Sequence, residues 1–302
     1  MSSQTMNITS GDLPALHNAA SSASGSAQKR YLALFIADLI FLIVGATLSA
    51  ISVGTSAYMS LLAVLGGISF IISLVLTGAI RFGRYEKDWY GGRAIAESVK
   101  TLAWRYMTCA EPYLISLTAK EADQKLADDL GLVLSQRKYL SGALDGKLSD
   151  KAQISDRMRE IRNLNTTARR DFYIKARIEE QRTWYGQKAH VNQRKEEVWF
   201  IAIMCAQIGA GAAAFCLVRW PEFPLNLAGI FSTLATAFIA WLQVKRHQEL
   251  AQSYNLAAQE LGLIAIKAHH VDTDDELSVF VADAENAISR EHTMWIARRD
   301  QA

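Results

Sequence analysis

Cysteine is scarce in this 302-residue chain. Cys109, Cys205 and Cys216 are its only three, and none forms a CxxC pair. That excludes a disulfide framework and a thiolate zinc site. Cys205 and Cys216 fall inside an apolar run, where a free thiol behaves as a small hydrophobe. Histidine is as sparse: His17, His190, His247, His269, His270 and His292 show no metal-ligand spacing. Adjacent His269 and His270 would point to different helix faces. Charge of one sign is missing too. Lys and Arg total 32 against 30 Asp and Glu, a net +2, so the chain lacks the basic face that a nucleic-acid binder needs. No strand precedes Gly91 and Gly92, so they do not make a phosphate loop, and no Ser/His/Asp order or pair of carboxylates in an apolar setting stands out. These absences lead us to expect a protein without catalytic activity, cofactor or metal.

Long apolar runs are what the chain does have. Half of its residues are hydrophobic, and they concentrate in four stretches at about 31–53, 59–80, 198–218 and 225–244. Each is long enough to cross a bilayer as a helix. Lys29 and Arg30 precede the first run, while Arg81, Arg84 and Lys87 follow the second; the intervening SVGTSAY carries no charge. Arg194 and Lys195 precede the third run, and Lys245, Arg246 and His247 follow the fourth. Two hairpins with basic outer ends place both termini in the cytoplasm by the positive-inside rule, although Arg219 at the second turn weakens the asymmetry. A large soluble helical core is the competing reading, and the paired basic flanks weigh against it. The prolines fit this layout. Two sit in the turn RWPEFP, and Pro112 ends the helix before it.

The second helix of each hairpin leads into an amphipathic one. Tyr85, Trp89, Gly92, Ala96, Val99, Ala103 and Tyr106 alternate in steps of four and three, a coiled-coil-like seam, and no turn signal separates them from the preceding apolar run. Leu250, Tyr254, Ala257, Leu261 and Ile264 repeat the spacing after the fourth run. This repetition of architecture predicts two rods that dock within or between protomers. Residues 1–28 are Ser/Ala/Gly-rich and are expected to be a disordered tail. A helix is expected from Glu111 to about Leu140. Ser149 or Asp150 would cap the next, Thr166 the one after, and Thr273 with Glu276 forms a capping box for the last.

Each apolar run carries one face of small or polar residues. Asp38 shares its face with Gly45 and Ser49; Ser69, Ser73 and Thr77 make a hydroxyl stripe; Gln207 lies above Gly211; and Ser232 and Thr236 mark the fourth run. Such faces either line an aqueous path, with Asp38 favouring cations, or pack helix against helix.

Three segments carry a specific likeness. Trp89 to Tyr113, WYGGRAIAESVKTLAWRYMTCAEPY, resembles the signature of the SLATT proteins, the SMODS- and SLOG-associating two-transmembrane effector domains of bacterial conflict systems. RIEEQRTWYGQKAHVN with WLQVKRHQELAQSYNLAAQEL, and then SREHTMWIARR, resemble a companion SLATT type. The likeness divides the chain into a tail at 1–28, one domain at 29–165 and another at 166–302. The runs and rods make an all-helical, multi-pass membrane protein with a cytosolic bundle. Two hairpins are too few helices to surround a sizeable pore, so self-association is expected. The likeness places the protein in the bacterial inner membrane. It also implies an effector that permeabilises or perturbs the membrane when a nucleotide-linked phage-defence system is triggered. Its sensor would be a partner protein, such as a nucleotide-synthesising one, or the cytosolic helices themselves. A non-conducting scaffold that organises partners is the alternative. Trp89, Arg93, Glu97, Lys100 and Trp104 then read as structural and coupling residues.

Overall fold

The computed structural model describes residues 8–51, 56–137, 140, 144 and 151–299. Among these the architecture is all-helical, with one isolated antiparallel bridge, Ile51 to Leu225, in place of any strand. The helices are α1 (Ala15–Ser49), α2 (Ser56–Phe82), α3 (Tyr85–Met107), α4 (Ala119–Ser135), α5 (Asp156–Arg162) and α6 (Thr166–Tyr173). A π-helical turn, Ile174–Glu179, joins α6 to α7 (Glu180–Arg219); α8 (Leu227–Lys245), α9 (His247–Lys267) and α10 (Asp274–Arg299) complete the chain.

The chain forms two compact units that cut across its two sequence halves. One comprises Lys29–Tyr85 and His190–Ala251; the other takes the residues through Gln28, Glu86–Ala189 and those from Gln252 on. The first is the membrane unit. It holds the four long apolar stretches, and their outward side chains are almost uncovered: Val218 is 84% exposed, Phe215 80% and Leu74 71%. Water would make such a belt costly, and hydrocarbon accepts it. Within the unit α1 packs on α2 through glycine. A β-carbon on Gly45 would come within 2.8 Å of the Phe70 ring, and one on Gly66 would come within 2.8 Å of Ser49 Oγ. Gly209 of α7 meets Phe231 of α8 in the same way, and Phe35 of α1 stacks on Trp241 of α8. The two hairpin turns are tied by the Asn226 N–H, which donates to the Ala50 carbonyl at 3.0 Å.

The second unit is a polar helical bundle. In it the expectation of a disordered tail is corrected, because residues 15–28 are the start of α1, and Ala15, Ala19, Ala20 and Ala27 are buried. The small residues that mimic a disordered composition permit close packing. Gly92 of α3 lies so near Ala20 and Ser24 that a β-carbon would come within 3.1 Å of both, and Ser24 Oγ donates to the Trp89 carbonyl at 2.8 Å. Residues 1–7 lie outside those described.

Other boundaries move as well. The passage from the second apolar run into the rod is broken, since α2 ends at Phe82 and Arg84 takes a left-handed φ of 52°. Arg246, between α8 and α9, does the same at 47°. Arginine is an uncommon residue for that conformation, so neither break carries the usual glycine signal at its own position. The helix expected from Glu111 begins at Ala119, where Thr118 and Glu121 form a reciprocal capping box. Ser155 caps α5; Ser149 and Asp150 lie outside the described residues. Asn165 caps α6 in place of Thr166, whose hydroxyl instead donates to Asp274. At the start of α10, Thr273 and Glu276 do form a capping box.

Candidate functional site

Charged side chains are expensive inside a bundle, and the polar unit buries several. Glu285 of α10 is fully buried. Arg177, in the π-helical turn, grips both of its oxygens, with Nε donating to Oε1 and Nη2 to Oε2 at 2.8 Å each. Tyr173 Oη donates to Oε1 at 3.0 Å, and Thr101 Oγ1 of α3 donates to Oε2 at 2.8 Å. Four donors from three elements therefore meet one carboxylate. The π turn offsets Arg177 from the regular α-helical register, and its guanidinium carbon lies 5.8 Å from the Trp104 ring centre. Trp104 packs in turn against Phe172 and Tyr173, and Tyr173 against Phe280.

Two more arginines repeat the device. Arg169 donates to Asp274 Oδ1 and to the Thr108 carbonyl. Arg162 donates to the carbonyls of Tyr106, Tyr113 and Leu114, gathering the irregular segment between α3 and α4. Tyr106 and Tyr113 reach across to Asp123 and Asp129 of α4. Burial, and then the hydrogen bond to Asp129, push the Tyr113 hydroxyl above its ordinary range, so it remains a donor. Burial likewise raises the Cys109 thiol. Nothing in the sequence periodicity singled out Arg162, Arg169, Arg177 or Glu285. Arg162 ends α5, Arg169 lies in α6 and Arg177 in the π-helical turn, so no single helix face gathers them in the sequence.

The rod residues are placed as follows. Gly92, Ala96, Val99, Ala103 and Tyr106 are buried, while Tyr85 and Trp89 are half-buried. In the second rod Tyr254, Ala257 and Leu261 are buried, with Leu250 and Ile264 half-buried. The first rod docks on the start of α1 and on α6 and α10. In the second, Tyr254 stacks on Tyr185 and meets Trp184, both of α7.

In the membrane unit, Asp38 is 8% exposed, and its carboxylate accepts from Ser73 Oγ at 2.5 Å and from Thr77 Oγ1 at 3.4 Å. Gly45, Ser49 and the buried Ser69 belong to the same α1–α2 hairpin; Ser69 returns its hydroxyl to the Leu65 carbonyl. The remaining members of the small-residue faces are not brought to Asp38. Gln207, Gly211, Ser232 and Thr236 are exposed on the second hairpin, where Thr236 Oγ1 donates to the Ser232 carbonyl. Near the turn of that hairpin an apolar groove of about 390 Å³ runs between Gly209, Ala213, Cys216, Trp220 and Phe231. Among the described residues no group of three His, Cys, Asp or Glu side chains could hold a metal ion.

Two apolar hairpins, each paired with a polar helical region, make a tandem of two-transmembrane domains. Residues 14–170 match the model of SMODS and SLOG-associating 2TM effector domain 3, and residues 173–295 match that of domain 1. The chain belongs to the SLATT family. It carries two SLATT types in tandem, and it is a membrane effector built from two two-transmembrane domains. No solved structure and no curated protein matches it. The compact units give this tandem a particular form. Both SLATT domains contribute a hairpin to the membrane unit and helices to the bundle, and the Arg177–Glu285 pair lies within the domain 1 match.

Proposed function

We propose that this tandem SLATT protein acts in the bacterial inner membrane as a homo-oligomeric effector of an anti-phage system. It permeabilises the bilayer on a cytosolic trigger and has no catalytic activity or cofactor of its own. One observation carries the reading: Gln207, Gly211, Ser232 and Thr236 form polar and small patches on the outer surface of apolar helices. An amide facing lipid is costly, and small residues let helices approach closely, so a second copy is the natural cover. Four helices per copy are too few to surround a sizeable path, and assembly supplies the rest. Both termini lie in the cytoplasm, where a sensor or a nucleotide-synthesising partner acts on the bundle. A shift of α3 or α9 at the left-handed breaks then reorients the attached hairpins.

A scaffold without conductance is the second reading, favoured by Asp38: its two hydroxyl donors make it a staple inside one hairpin. Liposomes loaded with a self-quenched dye separate the two. The effector reading expects release by the wild type and loss of release and of cross-linked oligomers in Gln207→Leu/Ser232→Leu. Intact liposomes at every trigger tested, with oligomers present, would leave the scaffold standing.

A further inference from the structure

The basic end of the second hairpin holds two lysines in an arrangement that the packing of the chain does not explain. Lys195 of α7 and Lys245 at the end of α8 are brought to the same end of the hairpin, Lys195 three residues past Asn192 and Lys245 two residues before His247, with which Asn192 pairs. Neither makes an ion pair among the described residues. Of the neighbouring carboxylates, Glu249 pairs with Arg246 at 3.5 Å, Glu197 accepts from Gln193 at 3.4 Å, and Glu196, next to Lys195, makes no ion pair with either lysine among the described residues. Two cations kept together without an anion repel.

Their separation is fixed by a buried pin. His247 Nδ1 lies 2.8 Å from Asn192 Oδ1, and both side chains are buried, so α7 and the start of α9 are held in register on either side of the lysines. Lys245 Nζ sits 5.4 Å from the centre of the Trp241 ring. Trp241 in turn packs on Trp199 and Phe35, and Phe35 on Tyr31. An aromatic cluster beside the end of an apolar stretch marks the headgroup level of a bilayer. The lysines therefore stand at the depth of lipid phosphates, above an apolar floor.

We propose that Lys195 and Lys245 bind the phosphate of an anionic phospholipid, with the lipid backbone against Trp241. The phosphodiester supplies the missing negative charge, and the pinned helices keep the site formed before the lipid arrives. His247 and Asn192 are positioning residues. A free phosphate shares the chemistry of the headgroup, but only the lipid also uses the aromatic floor.

The test uses the full chain in phosphatidylcholine nanodiscs titrated with phosphatidylglycerol. Retained lipid is read by native mass spectrometry, and Trp241 quenching by brominated phosphatidylglycerol is read against Trp241→Phe. Lys195→Gln/Lys245→Gln is expected to weaken retention roughly 30-fold, from about fivefold for each basic residue at an anionic surface. Lys195→Arg/Lys245→Arg should restore it, which separates loss of the site from loss of the fold. Arg81→Gln/Arg84→Gln removes the same charge after α2, outside that aromatic cluster, and should leave retention unchanged. Equal losses in both glutamine pairs would mean general surface attraction and would overturn the site. Displacement of phosphatidylglycerol by millimolar inorganic phosphate would overturn the lipid assignment.

Discussion

Arg177→Met isolates the energetics of the bundle's charged core. The substitution keeps the length of the aliphatic stem but removes both fork hydrogen bonds, leaving a fully buried Glu285 with only the Tyr173 and Thr101 hydroxyls. Removing one partner of a buried pair costs about 3–5 kcal/mol, because the surviving charge stays desolvated. At roughly 2–4 °C per kcal/mol for a unit of this size, the melting temperature should fall by about 6–20 °C. Glu285→Leu alone should be similarly harmful, since it strands the guanidinium. Arg177→Met/Glu285→Leu together should recover most of the loss, because an apolar pair of similar volume replaces the ions. Thermal unfolding of the four proteins in one detergent closes the cycle. If each single variant loses less than about 1 kcal/mol, or the two losses simply add, Arg177 and Glu285 are not a coupled buried pair.

The membrane hairpin and the helix caps give two further expectations. Gly45→Val forces branched carbons into the Phe70 ring, an overpacking that should cost about 1–3 kcal/mol and loosen α1 from α2; unaltered detergent unfolding would refute the close approach. Lowering pH should fray the first turns of α4 and α10. The capping hydrogen bonds with Thr118, and with Asp272 and Thr273, hold the Glu121 and Glu276 carboxyls below the ordinary value of 4.5. A depressed carboxyl stabilises the fold fully above 4.5 and loses that contribution as pH falls through its lowered value. Amide signals of Thr118 and Thr273 should report this, and Glu121→Gln with Glu276→Gln should abolish the pH response.

The four membrane stretches were legible because a bilayer imposes a length and a composition on contiguous residues, and Met59 to Ile80 satisfies both without any partner. The rods were legible for a similar reason: the four-three spacing of Gly92, Ala96, Val99 and Ala103 is a property of one helix face. The disordered-tail reading failed because it took small residues for residues with nothing to bury, whereas Ala20 and Ser24 are small so that α3 can approach. Arg84 and Arg246 hid their breaks because left-handed backbone is ordinarily signalled by glycine.

The buried charges were out of reach for a deeper reason. Local pattern assigns arginine and glutamate to solvent, and only the apposition of residues 108 apart turns Arg177 and Glu285 into a core. The same holds for Asp38, whose Ser73 partner is 35 residues away, and for the pairing of His247 with Asn192, 55 apart. For the four apolar stretches the residues alone name lipid as the neighbour, because that depends on each helix's own surface. Which polar group meets which was decided by the tertiary structure alone, since a buried charge is tolerated only where a partner from elsewhere in the chain arrives to satisfy it.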